Sequence, residues 1–462
     1  MLESLDVEAI LRRALSAAGD FAEIYYEDNS FTGIFGEESR VERVLSATDR
    51  GIGIRVISEL STAYGFTNDL TLDSLLRLAE TVSRGARGGA FGGDINLSRL
   101  QSGGFPIAVA PDQVQLVEKI AMVNRADRAA RAVDARVKQV QATYRDSQVK
   151  SQTVNSLGEF REDLTVSTVF LVQVVTQEGA VTQTGYEPVG AQRGFELFRD
   201  TTPEELAVKA ASRGVMMLGA RQSPAGQFPV VLSSEAGGTM VHEAIGHGLE
   251  ADLVQAGTSV YKGKLGEKVA SDLITVIDDA TIPYARGSFA FDGEGTPAQK
   301  TVLVENGILK GYMYDRLSAM KDGCASTGNG RRESYRTRPI VRMTNTLIAP
   351  GKSDPAEIVK SVDQGLFVRR MGGGQVNTVT GDFVFEVSEG YLIENGVVGE
   401  PVRGATLAGN GPDVLRKITM VGNDLGFGIG TCGKDGQGVP VADAQPTLLI
   451  TGITVGGKKQ KS

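Results

Sequence analysis

The chain has 462 residues, of which 41% are hydrophobic and 23% charged, proportions that allow a sizeable buried core and exclude disorder as the organising principle. Lys and Arg number 48 against 56 Asp and Glu, a net charge of −8; a nucleic-acid binder carries a basic surplus, so direct nucleic-acid binding is not expected. Cys324 and Cys432 are too few for a disulfide framework, MLESLDVEAI lacks the basic residues and apolar run of a secretory signal, and no stretch nears the roughly 18 uninterrupted apolar residues of a spanning helix, so the expected location is cytoplasmic, with no membrane.

Val7, Ile10, Leu11, Ala14 and Leu15 recur at helical spacing and Gly19 follows, which predicts an amphipathic helix over 7–18. FAEIYY from Phe21, RVERVLSA from Arg40 and GIGIRVIS from Gly51 have strand composition, with turn-rich pieces between them. GIGIRV lacks the third glycine and the following helix of a dinucleotide fingerprint, so it reads as a strand. Leu72, Leu75, Leu76, Ala79 and Val82 then form one stripe of a helix that starts at Thr71.

The Gly- and Pro-rich stretch 88–106 breaks this pattern and closes an N-terminal α+β domain, 1–110. Asp112 is placed to cap a long helix running to about Val133. Strand-like KQVQATYRD and LTVSTVFLVQVVTQ follow, then a helix after Thr202 with Pro203 in its first turn. This central α+β region, 111–225, ends at SPAGQFP. The remainder, 226–462, is mostly strands and glycine turns. In it Asn306-Gly307 and Asn395-Gly396 each sit between apolar runs as a type I′ hairpin turn requires, and Asp354, Pro355 and Gly365 frame a short helix. The terminal KKQKS reads as a tail. The expected fold class is α+β, with sheet-plus-helix regions first and a predominantly β C-terminal domain carrying the metal motif.

The only two histidines, His242 and His247, both fall in GGTMVHEAIGHGLEAD. Two histidines placed at random fall five apart about once in a couple of hundred chains, before the intervening glutamate is demanded. Neutral imidazoles are the commonest metal ligands, and a glutamate beside the first is how zinc peptidases place a general base next to the attacking water. On a regular α-helix residues five apart diverge by about 140°. A π-turn between His242 and His247 realigns them, and Gly246 is where such a distortion meets least steric resistance.

A catalytic tetrahedral site needs a third protein ligand and one open position. The candidates are Cys432 in IGTCGKDGQGVP, ranked first because thiolate is a strong zinc ligand, then Glu250, then Asp252; Cys324 is an alternative thiol. Three weaker signals have two readings each. Arg331, Arg332, Arg336 and Arg338 beside Tyr335 either grip a phosphate or carboxylate or, the favoured reading, form surface or interface salt bridges. Asp292 and Glu294 either serve a cation or a metal ligand or make an ordinary acidic turn. The glycines at Gly372 and Gly409 either donate N–H groups to an oxyanion or, the favoured reading, mark tight turns.

GGTMVHEAIGHGLEAD, TGNGRR from Thr327, GGGQVNTVTGDFVFEVSEGYLIENG from Gly372 and ATLAGNGPDVLRKITMVGNDLGFGIGTCGKDGQGVPV from Ala405 resemble the TldD/PmbA family, sometimes called modulators of DNA gyrase, over essentially the whole chain. The resemblance is to the metal-bearing TldD type. It implies a zinc-dependent peptidase in which His242, His247 and Cys432 hold Zn2+ and Glu243 is the general base. It also implies a dimer, either a homodimer or a heterodimer with a metal-free TldE/PmbA-type subunit, that admits unfolded or short peptides as an added β-strand. Two rival functions are a non-catalytic peptide-binding regulator or partner subunit of the same family, which has no need of Glu243, and a thiol enzyme using Cys432 with a histidine.

Overall fold

A computed structural model describes residues 1–89 and 91–457; the KKQKS tail lies outside the described residues. Asp6 caps α1 (Val7–Ala14) by accepting from the Ala9 N–H. The helix is shorter than its apolar stripe, because Leu15 and Ala18 are buried from the turn that follows it. β1 (Phe21–Glu37) and β2 (Arg40–Ser58) pair along their full lengths, so the two segments RVERVLSA and GIGIRVIS form one strand. Gly51 is not a turn. A Cβ there would lie 2.2 Å from the Tyr335 ring, so this glycine admits a close approach inside a strand.

β3 (Ser61–Thr67) and α2 (Leu72–Gly85), capped by Thr71, complete the first unit. β4 (Gln101–Gly104) follows within the Gly-rich stretch. Asp112 does not cap the next helix: it lies in a separate single turn, Pro111–Gln113, and α3 (Leu116–Arg131) starts after Gln115 with no side-chain cap. β5 (Val137–Asn155), β6 (Phe160–Glu178) and β7 (Val181–Ala191) lead to α4 (Pro203–Leu218), where Thr202 and Glu205 form a reciprocal capping box.

These strands form one seven-stranded sheet in the order β3-β2-β1-β5-β6-β4, with β7 also on β6. The period of two sorts its side chains to two faces. Ile24, Ile54 and Val154 meet α1 and α2 in one core, and Ile34, Tyr144, Phe170 and Val172 meet α3 and α4 in a second. The intervening residues, among them Glu23, Tyr25 and Arg55, face the C-terminal part of the chain.

That part carries β8 (Gly226–Leu232), β9 (Val276–Asp279), β10 (Lys300–Glu305), β11 (Asn345–Ile348), β12 (Gln364–Val376), β13 (Asp382–Glu394), β14 (Thr406–Asn410), β15 (Gly426–Lys434), β16 (Gln437–Gln445) and β17 (Leu448–Gly456). The pairings β12-β8-β17-β14-β13 return from β13 to β12, closing a five-stranded ring. A six-stranded sheet, Ile308–Leu309 with β10-β9-β11-β16-β15, stands beside it. Asn306-Gly307 and Asn395-Gly396 have positive φ at both positions, as their turns require. The short helix Pro355–Lys360 is capped by Asp354 but stops before Gly365, which already belongs to β12. The fold is α+β with a strand-rich C-terminal region. Among the described residues no helix is long and apolar enough to cross a membrane.

Candidate metal centre

The histidine segment leaves β8 and runs between the ring and the six-stranded sheet. Val241, Ala244, Ile245 and Leu249 are buried in the largest core with Val230, Phe385 and Leu415, which fixes the segment on its apolar side. One α-turn, Thr239–Val241, is followed by a π-turn, His242–Gly246, and then by a tight turn, His247–Leu249. The widened turn is the one the five-residue spacing calls for, and it places both imidazoles on one side. A Cβ at Gly246 would lie 2.2 Å from Met343 Sδ, so only glycine lets the wide turn settle this closely on its neighbour.

The third member comes from β15. Cys432 is buried, its Sγ lies 3.5 Å from His247 Nε2, and the ligand atoms of His242, His247 and Cys432 all fall within 4.8 Å of one another. The two rings stand nearly perpendicular with centroids 4.9 Å apart. A carboxylate holds each imidazole from behind: His242 Nδ1 lies 2.8 Å from Asp443 of β16, and His247 Nδ1 lies 3.2 Å from Glu250. With Nδ1 donating to a carboxylate, Nε2 keeps its lone pair for the centre, the arrangement that orients metal-ligating histidines. Lys434, two residues beyond Cys432, joins Glu250 at 3.0 Å to Asp252 at 2.7 Å.

The electrostatics suit a cation. Burial opposes ionisation of the Cys432 thiol, but hydrogen bonds and charge from the two imidazoles bring it down to about 5. Burial likewise disfavours charging His247, yet Glu250 and Cys432 lift it to about 10, and Asp443 lifts His242 well above its ordinary value. The thiol is thus drawn toward its thiolate and both imidazoles toward positive charge, so the three groups together favour a positive charge at the point between them. A divalent ion would supply that charge, and the donor set of two nitrogens and one thiolate is one zinc accepts. Glu243 is half-buried beside the three, makes no hydrogen bond to another described residue, and burial raises its carboxyl above the usual range against the pull of both histidines. All four side chains line a cleft of about 490 Å³ whose further walls are Gln375 and Val376 at the end of β12, Thr378 just beyond it, and the end of β15 with Asp435.

Family profiles described as PmbA/TldA metallopeptidase domain 1, central domain and C-terminal domain match residues 22–86, 110–218 and 225–457. The chain belongs to this metallopeptidase family. A "Metalloprotease TldD homolog" of Buchnera aphidicola subsp. Acyrthosiphon pisum is 37% identical over 98% of the chain and 96% of the relative. A "Zinc metalloprotease TldD homolog" of Saccharolobus solfataricus is 28% identical over 97% and 99%. A solved chain from Thermotoga maritima, described as a modulator of a DNA gyrase, has the same fold, with a TM-score of 0.78 at 24% identity over 94% and 96%.

Within this PmbA/TldD frame the other sequence candidates sort clearly. Glu250 stands behind His247, on its Nδ1 side, and Asp252 is joined to Glu250 through Lys434; neither is among the three converging ligand atoms. Cys324 is exposed, beyond the helix Arg316–Asp322. Asp292 and Glu294 make no exposed acidic turn: Asp292 accepts from the N–H groups of Glu294, Thr296 and Gly330, and the fully buried Glu294 pairs with Arg55. Arg332 pairs with Glu23 at 2.6 Å and Arg336 with Asp49 at 3.0 Å, both across to the N-terminal sheet, as the interface reading expects. Arg331 instead donates to the carbonyls of Met343 and Pro440. Gly372 and Gly409 lie in strands β12 and β14, not in tight turns. Sequence reasoning missed Asp443 and the role of Lys434; the second stood within the GTCGK segment and was open to notice.

Proposed function

We propose that the chain is a zinc-dependent peptidase of unfolded or short peptides, with His242, His247 and Cys432 as the ligands and Glu243 as the general base. The observation that carries this reading is the convergence of two imidazole nitrogens and a thiolate within 4.8 Å, with an unpartnered glutamate beside them in an open cleft. The zinc metalloprotease named among the relatives supports the choice of metal. Bound here, zinc supplies Lewis acidity to a water and to a peptide carbonyl.

The protein's own part is positional and acid–base. Asp443 and Glu250 hold the two imidazoles so that both Nε2 atoms face the same point. Glu243, raised by burial and without a protein partner, is suited to accept a proton from water and return it to the leaving amine. Leu366, Phe367 and Val368 of β12 pair with β8, whereas Met371–Val376 pairs only with β13 among the described residues. That leaves a strand edge against the cleft, to which a peptide can add by main-chain hydrogen bonds, reading few side chains. A cytoplasmic dimer, with itself or with a TldE/PmbA-type subunit, completes the proposal; exposed Val379, Val384 and Phe427 are apolar surface for it to cover.

Elemental analysis of the parent chain and Cys432→Ala, with cleavage of an unstructured peptide by the parent and Glu243→Gln, tests the reading. About one zinc per chain, lost with Cys432, and cleavage lost in a Glu243→Gln protein that keeps its metal, is the expected result. Metal-free protein that still cleaves refutes it in favour of thiol chemistry. Metal-loaded protein that cleaves nothing, alone or with a partner subunit, refutes it in favour of a binding role.

A further inference from the structure

The face of the N-terminal sheet turned away from its helices is only partly covered by the C-terminal region. Between them lies a second groove, of about 450 Å³, distinct from the metal cleft. Its floor is apolar, with Phe31 and Phe35 of β1 and Val169 and Leu171 of β6, and its opposite wall is Ile429, Gly430 and Thr431 of β15. Thr431 also lines the metal cleft and precedes the ligand Cys432, so the groove and the cleft share a rim.

Two guanidiniums face this apolar space. Arg145 of β5 is exposed and pairs in register with Gly33 on one side and Val169 on the other. Gly33 offers no side chain to crowd it, and its guanidinium carbon lies 5.3 Å from the centre of the Phe35 ring. Arg286 enters from the C-terminal side, donating to the Gly430 carbonyl and to Ser167 Oγ, each at 3.2 Å. Neither arginine forms an ion pair with a carboxylate of the described residues. The one acid at the groove, Asp146, is engaged by Lys119 at 2.6 Å. Burial, with the charge of Arg145 added, pulls Arg286 down to about 10. An anion between them relieves both.

We infer that this groove receives a carboxylate of the peptide substrate, held by Arg145 and Arg286, while the residues flanking it rest on Phe31, Phe35 and Val169. The peptide nature of the ligand rests on the peptidase reading above; the charge selectivity rests on the two unpaired arginines. Guanidinium matches carboxylate with two parallel hydrogen bonds, and the half-buried Phe31 and Phe35 rings flank that contact with apolar surface. The carboxylate comes from either an acidic side chain or the peptide's C-terminus, and the experiment separates the two.

Three fluorescent unstructured peptides of one sequence are titrated into Glu243→Gln protein: one with internal Glu and an amidated C-terminus, one with Gln and a free C-terminus, and one with Gln and an amide. A carboxylate-bearing peptide is expected to bind roughly tenfold or more tighter than the neutral one, and which of the two does so names the source. The preference weakens with added salt. Arg145→Gln is expected to collapse the ratio to within about twofold, and Arg145→Lys to restore part of it. Equal binding of all three peptides, or a ratio that survives Arg145→Gln, overturns the inference. So does a change in oligomeric mass in Arg145→Gln with the ratio untouched, which assigns the groove to a second copy of the chain. Cleavage of the neutral amide by the parent chain reports on the peptidase reading alone: cleavage without charge preference sinks the groove and keeps the peptidase, and charge preference without cleavage does the reverse.

Discussion

Asp443→Ala should weaken zinc binding while leaving all three ligands in place. The Asp443 carboxylate lies 2.8 Å from His242 Nδ1, and both side chains are almost wholly buried. Removing it leaves a buried N–H without an acceptor, a cost of about 1–3 kcal/mol that the ring can escape only by rotating or by moving its proton to Nε2. Either escape takes the lone pair away from the centre. Loss of such a supporting carboxylate costs about 10–100-fold in metal affinity, or about 1.4–2.7 kcal/mol. Asp443→Asn keeps an acceptor oxygen but loses the charge, so its affinity should fall between those of the parent and Asp443→Ala. Competition against a chromophoric chelator at one fixed pH measures all three. Folded Asp443→Ala that holds zinc within about threefold of the parent refutes the argument that this carboxylate fixes the ligating tautomer. Glu250 is a less clean probe, because it also pairs with Lys434 and its loss frees that cation as well.

Arg55 lies 2.9 Å from Glu23 and also pairs with Glu294, all three essentially inaccessible to water; Arg55→Met leaves two carboxylates without their shared cation and should lower unfolding stability in denaturant by about 3–5 kcal/mol. A loss below about 1 kcal/mol contradicts that account. Burial pushes the Glu27 carboxyl up from 4.5 to about 7 despite a hydrogen bond from Tyr25. The native state therefore keeps a proton that the unfolded chain releases above 4.5, so this group's contribution is fully present below 4.5 and is lost as the pH rises to about 7, by about 3 kcal/mol at most. Glu27→Gln removes that slope, and should gain stability relative to the parent between those pH values; an unchanged difference at the two ends of the window counts against it. Gly246→Ala puts a Cβ 2.2 Å from Met343 Sδ and should cost about 1–3 kcal/mol, together with zinc occupancy, whereas full zinc loading with parental stability shows that the π-turn tolerates a side chain.

The core of the site was legible in the sequence because histidine is so scarce in this chain. Two histidines flanking a glutamate leave few readings, and a spacing of five dictates the widened turn that is observed at His242–Gly246. Asp443 left no such trace. It reaches His242 from a strand 201 residues away, and an aspartate alternating with small residues in VADAQ follows the ordinary period of a strand. Gly51 reads as strand and is one, but the close approach of Tyr335 that it admits comes from a residue far along the chain and left no local mark. Asp292 and Glu294 do lie in a turn, but their burial depends on Arg55 and on the backbone around Gly330, which local sequence cannot reveal. Capping reads correctly at Asp354, whose carboxylate accepts from the Ala356 N–H, and misleads at Asp112, where an added turn intervenes.

The arginine pair shows why the N-terminal sheet bears on a site that it does not enter. Arg332 reaches Glu23 on that sheet, and Glu23 is already bound to Arg55, which in turn holds Glu294. One residue earlier, Arg331 donates at 2.6 Å to the carbonyl of Met343, the residue under Gly246, and at 2.7 Å to that of Pro440, which pairs with Thr431 in β15. One short strand, Gly330–Arg331, thus touches both halves of the metal site while the next residue is anchored in the domain interface. A buried charge cluster of this kind contributes little net stability compared with apolar packing, but it punishes any relative sliding of the partners, because each shift strands a charge. Contacts to the N-terminal sheet and contacts to both ligand-bearing segments are therefore made from adjacent backbone positions, Arg332 and Arg331. Arg331 thus bridges the backbone beneath the two ligand segments, which stand 185 residues apart in the chain and 3.5 Å apart at Cys432 Sγ and His247 Nε2.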